Sequence, residues 1–235
     1  MKTKILVYQL FIISLLVITS SACNKDDNNE EPSDPNQGTV KDIEGNSYKT
    51  TKIGDQWWMA ENLNTTKFRN GENIPYLAGS NEWTSTLSAG YCHSNNDTTL
   101  GAVYGLLYNW HAVDDGRKIC PEGWHTPSNN DWSALVEFLG GNEIAGGKLK
   151  QTGIDFWNSP NTDASNESGF SALPGGVRNA NTGDFAGSGT TGSWWSASQQ
   201  NTDKAGVWGL TTMNGAIATY NLDKNTGLSL RCIKD

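Results

Sequence analysis

Trp194 and Trp195 stand side by side in the segment GSWWSAS, and Trp57 and Trp58 do the same in DQWWMAE. Neighbouring side chains of a strand point to opposite faces, so one ring of each pair is expected inside and the other outside. An outward indole flanked by amides or a guanidinium is a surface on which a sugar ring stacks. Arg178, Asn179 and Gln199 would lie beside Trp194 or Trp195 if their strands pair, and Trp157-Asn158 again sets a ring beside an amide. Trp157, Asn158, Arg178, Asn179, Trp194 and Trp195 therefore form the candidate ligand-binding set. The competing reading, in which the outward ring packs beneath long loops, is the one expected of a Trp-rich fold.

Other chemistry has less to stand on. His93, His111 and His125 lack a close metal-ligand spacing such as H-x-x-x-H, so each is expected to be a surface or satisfied core histidine, and no metal is expected. Asp155, Asp163, Asn166 and Glu167 could gather oxygen ligands for calcium, but their use in turns is the favoured reading, and no cofactor is expected. Ser-His-Asp, Walker and G-x-G-x-x-G contexts are missing. Paired carboxylates for glycoside hydrolysis cannot be recognised in a sequence, because the partners come from different loops. No catalytic residue is assigned, and the chain is expected not to be an enzyme.

The elements that would position these residues are legible in part. Val40, Ile43, a turn at Glu44-Gly45-Asn46, then Tyr48, Ile53 and a second turn at Gly54-Asp55 read as successive hairpin strands. Residues 64 to 100 read as mostly loop, and the apolar run YGLLYNWHAV (104 to 113) fits a strand or a buried helix. In CPEGWHTPSNNDWSALVEFLGG (120 to 141), Ser128 and Asp131 have the spacing of a capping box, with Asp in place of Glu. Trp132, Leu135, Val136 and Leu139 follow at helical spacing and Gly140-Gly141 ends the pattern, which predicts an amphipathic helix. A short helix around Ile144 to Lys150 comes next. Strands are expected in GFSALPGGVRN, in GSWWSAS with AGVWGLTTM, and in GLSLRCIKD, where Leu228, Leu230 and Cys232 should share one face.

All ten Trp and 25 of the 26 Gly fall between residues 39 and 235, which indicates a loop-rich mixed fold anchored by large aromatic side chains. That span holds 14 basic and 20 acidic residues, a net charge of −6, without a Lys/Arg cluster; nucleic acid is not expected as a partner. No second linker divides it, so one α+β domain with small twisted antiparallel sheets and about two helices is expected. Cysteine count alone leaves the pairing of Cys92, Cys120 and Cys232 open. Cys120 precedes the main helix and Cys232 lies in the last strand, and Cys120–Cys232 is the bridge expected in an oxidising exterior.

The N-terminus points to that exterior. Lys2 and Lys4 precede an apolar stretch from Ile5 to Ile18 and the small residues Ser20, Ser21 and Ala22, so residues 1–22 read as a secretory signal. Its apolar core is shorter than the roughly 20 residues needed to span a bilayer. The signal ends on Cys23 and resembles a bacterial lipobox, although Ser20 holds the usual aliphatic place. Cys23-Asn24-Lys25-Asp26-Asp27 is similar to the C-x-K-(D/E)-(D/E) signal that sends lipoproteins to the outer face of the outer membrane. Residues 23–38 then read as a disordered acidic tether, and the lipid of the outer membrane, reached through an acylated Cys23, is the expected anchor.

The blocks YGLLYNWHAV, CPEGWHTPSNNDWSALVEFLGG, AGGKLKQTG, NESGFSALPGGVRN, GSWWSAS and LSLRCIKD together resemble the Fibrobacter succinogenes major paralogous domain, in that family's order, across nearly all of residues 39–235. The resemblance implies a domain of surface and secreted bacterial proteins with no assigned activity. More distantly the arrangement looks like the C-type lectin-like fold shared with formylglycine-generating enzymes: HTPSNNDW answers to a RLPTEAEW-type helix start and LSLRC to a terminal GFRC strand. This likeness implies two helices flanking a small sheet, with residues 155 to 200 as an irregular exposed face. An oxidase of that kind needs a cysteine pair near its groove, and the C-terminal third holds only Cys232. The expected role is thus a surface-exposed lipoprotein with a non-catalytic binding or adhesion module for an extracellular polysaccharide or surface protein. A structural envelope protein is the alternative, and an enzyme of formylglycine-generating type a weaker one.

Overall fold

Asp42 shows how the short strands are made. Its carboxylate accepts the backbone N–H groups of Glu44 and Asn46 at 2.9 and 3.0 Å and the Tyr48 hydroxyl at 2.6 Å, while Gly45 takes a φ of 86°. A side chain that satisfies the turn's own donors replaces ladder bonds and fixes the hairpin register. It joins β1 (Gln37–Lys41) to β2 (Ser47–Ile53), and Gly54, at φ 61°, lets a two-residue turn lead into β3 (Gln56–Met59).

The computed structural model describes residues 34–235, and these form one unit. The expected signal segment, Cys23 and most of the tether lie outside the described residues. The chain enters regular structure at Gln37, so the last two residues of the expected tether, Gln37 and Gly38, belong to a strand.

After β3 come α1 (Ser80–Ser85), β4 (Tyr91–Cys92), a 3-10 turn (Ser94–Asn96), α2 (Thr98–Tyr104), β5 (Leu107–Tyr108), α3 (Trp110–Val113) and β6 (Trp124–His125). The long helices α4 (Asn129–Phe138) and α5 (Asn142–Leu149) follow. The chain ends with β7 (Val177–Arg178), β8 (Phe185–Ala186), β9 (Thr191–Gln199), β10 (Lys204–Thr211), β11 (Ala218–Asp223) and β12 (Ile233–Lys234). Four antiparallel sheets result: β1-β2-β3-β12-β6, β11-β10-β9, and the pairs β4-β5 and β7-β8.

The α+β class and the main helix agree with the sequence reading: Ser128 and Asp131 form the capping box of α4, and Trp132, Leu135 and Val136 are its buried stripe. Among the described residues three helices beyond the two expected are present, each of four to seven residues. Two of them, with β4, replace the loop expected between 64 and 100; elements this short carry too few residues for a periodic signal. The run 104 to 113 is neither a strand nor one helix. Asn109 divides it, capping α3 through the Ala112 N–H, so that β5 ends and α3 begins. Leu228, Leu230 and Cys232 are buried as expected, but Ser229, Arg231 and Ile233 are buried too, since this segment passes between two packed layers.

Cys120 and Cys232 are bridged, with Cα atoms 5.9 Å apart, as expected. Among the described residues Cys92 is the free cysteine, and it is buried.

Two large apolar clusters fill the interior. One gathers Trp58, Trp132, Trp157, Phe170, Trp194 and Trp208, in which Trp132 stacks on Trp208 at 5.9 Å and tilts against Trp58 at 4.8 Å. The other holds Tyr48, Phe68, Tyr108, Trp110, Trp124, Trp195 and the disulfide. The strand β9 runs between them. Its alternation sends Trp194 into the first cluster and Trp195 into the second, so both rings are fully buried. The expectation that one of this pair faces outward is corrected: a strand covered on both faces has no outward side. Residues 192–196 are accordingly part of the interior rather than of an exposed face, while Gln199 at the strand's end is exposed. At the other pair the expectation holds in part: Trp58 is fully buried, while Trp57 is half-buried and packs against the second cluster.

Candidate functional site

Three cations, Lys150, Arg178 and Arg231, are fully buried without a carboxylate partner, and each is spent on backbone carbonyls. Loops without a ladder leave carbonyl oxygens that need donors, and a buried cation needs acceptors. Lys150 Nζ donates to the carbonyls of Thr162, Thr211 and Asn214 at 2.7, 3.1 and 2.9 Å. Burial lowers the proton affinity of its amine, and Asp163 opposes that shift.

Arg178 corrects a candidate ligand residue. Its strand β7 pairs with β8, and its guanidinium lies between Trp83 and Phe185, 4.6 and 4.9 Å from the ring centres, donating to Gly183, Leu77 and Ala78. It is a clamp for loops and has no face for a ligand. Asn179 is exposed, but its Oδ1 accepts the N–H groups of Asn181 and Thr182 and so makes a turn. Trp157 is also corrected: it is fully buried and its Nε1 donates to the Ala172 carbonyl at 2.8 Å. Asn158 beside it is exposed. Trp195 donates to the Tyr108 carbonyl and Trp194 to Asn62 Oδ1, each at 2.8 Å, so neither ring is open to a sugar.

The Trp194 bond leads to the site that the structure does offer. Asn62 Oδ1 accepts from Trp194 Nε1 and from Arg231 Nε, both at 2.8 Å, while its Nδ2 donates to the Tyr104 carbonyl at 2.7 Å and to Ser229 Oγ at 3.3 Å. Every hydrogen-bonding position of this amide is used. Arg231 goes on to donate to the carbonyls of Met59, Phe170 and Ser171, with the Phe170 ring 4.1 Å from its guanidinium carbon. Burial brings its pKa down to about 9, with Glu61 pulling the other way, and it remains a cation at neutral pH.

Above this amide and cation lies a cleft of about 690 Å³ between β2, α2 and the loops at 151–173. Six side-chain amides and five hydroxyls line it, with Phe156, Val103 and Leu173 as apolar wall. Phe156 is half-buried and meets Tyr104 edge-on at 6.5 Å. Lys49 and Glu61 are the only charged residues of the lining, and both are exposed. Asn64, whose backbone N–H donates to the Tyr48 hydroxyl, has no side-chain partner among the described residues. The Tyr48 phenol is held protonated by burial and by its bond to Asp42.

No sequence signal marks Asn62, because its four partners lie 42 to 169 positions away. The polar cleft residues were missed for a related reason: scattered Asn, Gln and Thr read as turns until the loops that carry them are folded together.

His125 stands between two carboxylates, 2.6 Å from Asp235 at Nδ1 and 3.8 Å from Asp131 at Nε2. They approach opposite nitrogens and do not converge on one point. Among the described residues no three His, Cys, Asp or Glu side chains gather to hold a metal ion. Asn166, weighed for calcium, turns its Oδ1 to the Ser171 N–H and its Nδ2 to Gln151 and Ser171, which is turn chemistry at a φ of 50°.

Residues 51–234 match the Fibrobacter succinogenes major domain. The chain belongs to that family. The family match runs from within β2 to the end of β12 and so takes in one cluster whole, the other apart from Tyr48, the disulfide, Asn62 and 15 of the 21 residues lining the cleft; β1 precedes it. No curated protein and no solved structure matches the chain. Among the described residues no helix of this family member is long and apolar enough to cross a membrane.

Proposed function

We propose that the chain is a lipid-anchored, surface-displayed, non-catalytic binding module, and that its ligand is a glycan held in the cleft over Asn62. The supporting observation is the composition of that cleft. Amides offer a donor and an acceptor side by side, which is what a sugar hydroxyl requires, and the Phe156 ring presents an apolar face to a sugar's C–H groups. The floor is rigid because Asn62 has no spare bond and Arg231 commits four of its five N–H groups, so the walls are set before a ligand arrives.

Glycoside hydrolysis by an acid pair calls for two carboxylates across the scissile bond, and Glu61 is the single one in the lining. This favours binding over turnover. The anchor rests on Cys23 and its context, and with the fold beginning at Gln37 a stretched tether would span on the order of 40 Å, enough to clear the lipid head groups. An outer-membrane address and a lectin-like ancestry belong to the same proposal.

Retention on immobilised polysaccharides tests the cleft. Phe156→Ala and Asn64→Ala should lose retention with unchanged melting temperature; variants retained as well as the parent would refute the site. Labelling of cells with an alkyne fatty acid, before and after Cys23→Ala, tests the anchor.

A further inference from the structure

Tyr76, Tyr91 and His93 form an aromatic group at the surface, away from both apolar clusters' centres. Their ring centres lie 5.4 Å (Tyr76–Tyr91), 5.6 Å (Tyr76–His93) and 6.3 Å (Tyr91–His93) apart, and Tyr76 is 46% exposed. Burying such rings further would be favourable, so a trio with Tyr76 exposed and Tyr91 and His93 half-buried needs something that holds it in place. The clamps are visible. Tyr76 and Tyr91 pair as a parallel bridge, with Leu77 N–H donating to the Tyr91 carbonyl and Tyr91 N–H to that of Pro75. The buried Arg178 then seizes the carbonyls of Leu77 and Ala78, which directly follow Tyr76.

His93 is seated from the other side. A Cβ at Gly101 would lie 2.2 Å from its Nδ1, so the ring rests on bare backbone of α2. That Nδ1 is buried and has no partner. A buried N–H without an acceptor costs more than a buried lone pair, which assigns the proton of the neutral ring to Nε2. Burial lowers the ring's pKa, with Asp97 opposing, and favours that neutral form. Next along the chain, Asn95 and Asn96 both take left-handed backbone, at φ 53° and 55°. Two such residues in succession are strained, and their exposed amides follow His93 by two and three positions. Asn96 Nδ2 ties this loop to the Ala78 carbonyl at 3.0 Å, whereas the Asn95 side chain has no partner among the described residues.

We propose that the Tyr76–Tyr91–His93 surface, with Asn95 and Asn96, is a second saccharide site that takes the C–H face of a neutral pyranose. None of these residues lines the Asn62 cleft; α2 separates the two, with Gly101 under His93 on one side and in the cleft wall on the other. The groups on offer are ring faces, phenol hydroxyls, an imidazole N–H and amides, a set that matches ring carbons flanked by hydroxyls. No cation stands among them, and Asp97 is occupied by Thr99, so neutral sugars are favoured over acidic ones.

The test is NMR of the full chain labelled at Tyr and His rings, titrated with methyl β-glucopyranoside, methyl β-galactopyranoside and methyl α-mannopyranoside. At least one should give saturable shifts at Tyr76, Tyr91 and His93. Tyr76→Ala should weaken that binding tenfold or more, and Asn64→Ala, in the cleft, should leave it unchanged. Asn95→Gly, which suits the left-handed backbone and removes only the amide, should weaken it several-fold with the fold intact. Absence of shifts at the three rings with all three glycosides overturns the proposal. So does an equal response in the Tyr76→Ala chain, or a protein captured through this patch while no glycoside perturbs it.

Discussion

Arg231 Nε donates to Asn62 Oδ1 at 2.8 Å across 169 residues of sequence, with both side chains buried and the same oxygen accepting from Trp194. Replacing Asn62 by Leu would leave a guanidinium N–H and an indole N–H without an acceptor. A buried donor left without an acceptor costs about 1–3 kcal/mol, more where it is charged, and a loss of that order for each of the two donors is expected in denaturant unfolding. A change below about 1 kcal/mol would mean that the hub is not holding the two segments together.

The indoles first picked out as binding surfaces should behave as core. Trp157→Ala, Trp194→Ala and Trp195→Ala are each expected to cost about 3–5 kcal/mol of stability. Melting curves distinguish this from a recognition role, in which binding would fall while the midpoint stayed in place.

Cys92 gives a chemical probe of the interior. Burial pushes its thiol up to about 12, with the nearby Arg178 pulling it back, so almost no thiolate is present at pH 8. Iodoacetamide should leave Cys92 unmodified in the folded chain and alkylate it in denaturant, as read by peptide mass. Rapid native labelling would show that the segment around β4 opens.

The Cys120–Cys232 bridge closes a loop of 112 residues, for which the chain-entropy account gives about 4–5 kcal/mol. Cys120→Ala with Cys232→Ala, or a reductant, should lower the unfolding midpoint accordingly.

Acid stability has a defined sign. The Arg117 side chain holds the Asp115 carboxyl below its ordinary value; at Glu44 burial raises the pKa, but the Thr66 N–H, the Thr65 and Thr66 hydroxyls and Lys67 together outweigh it. Carboxyls lowered in the folded state add stability that is fully present above their unfolded pKa, about 4, and is lost as pH falls through the folded values. Stability should therefore drop between about pH 5 and pH 2, and Asp115→Asn or Glu44→Gln should flatten that limb. An unchanged limb in both variants would assign the acid sensitivity elsewhere.

The contrast between α4 and β9 shows which features a sequence discloses. Ser128, Asp131 and the Trp132-Leu135-Val136-Leu139 stripe act within one or two helical turns, so spacing alone places them. Trp194 and Trp195 depend on what covers each face of their strand, and that is decided by α4 on one side and by β5 and α3 on the other. Arg178 looked like a surface residue for the same reason: its carbonyl partners at Leu77 and Ala78 are about a hundred positions away. The hairpins at Asp42 and Gly54 and the disulfide partners were legible because turn residues and oxidised cysteines leave local marks. The cleft was not, since it is a meeting of loops.

Lys150, Arg178 and Arg231 sit where dissolved ions cannot approach them. Shielding by electrolyte weakens contacts at the water boundary and leaves enclosed ones alone. A body whose irregular segments are fastened by such enclosed charges keeps its contours from fresh water to brine, and a change of medium alters only what meets it from outside.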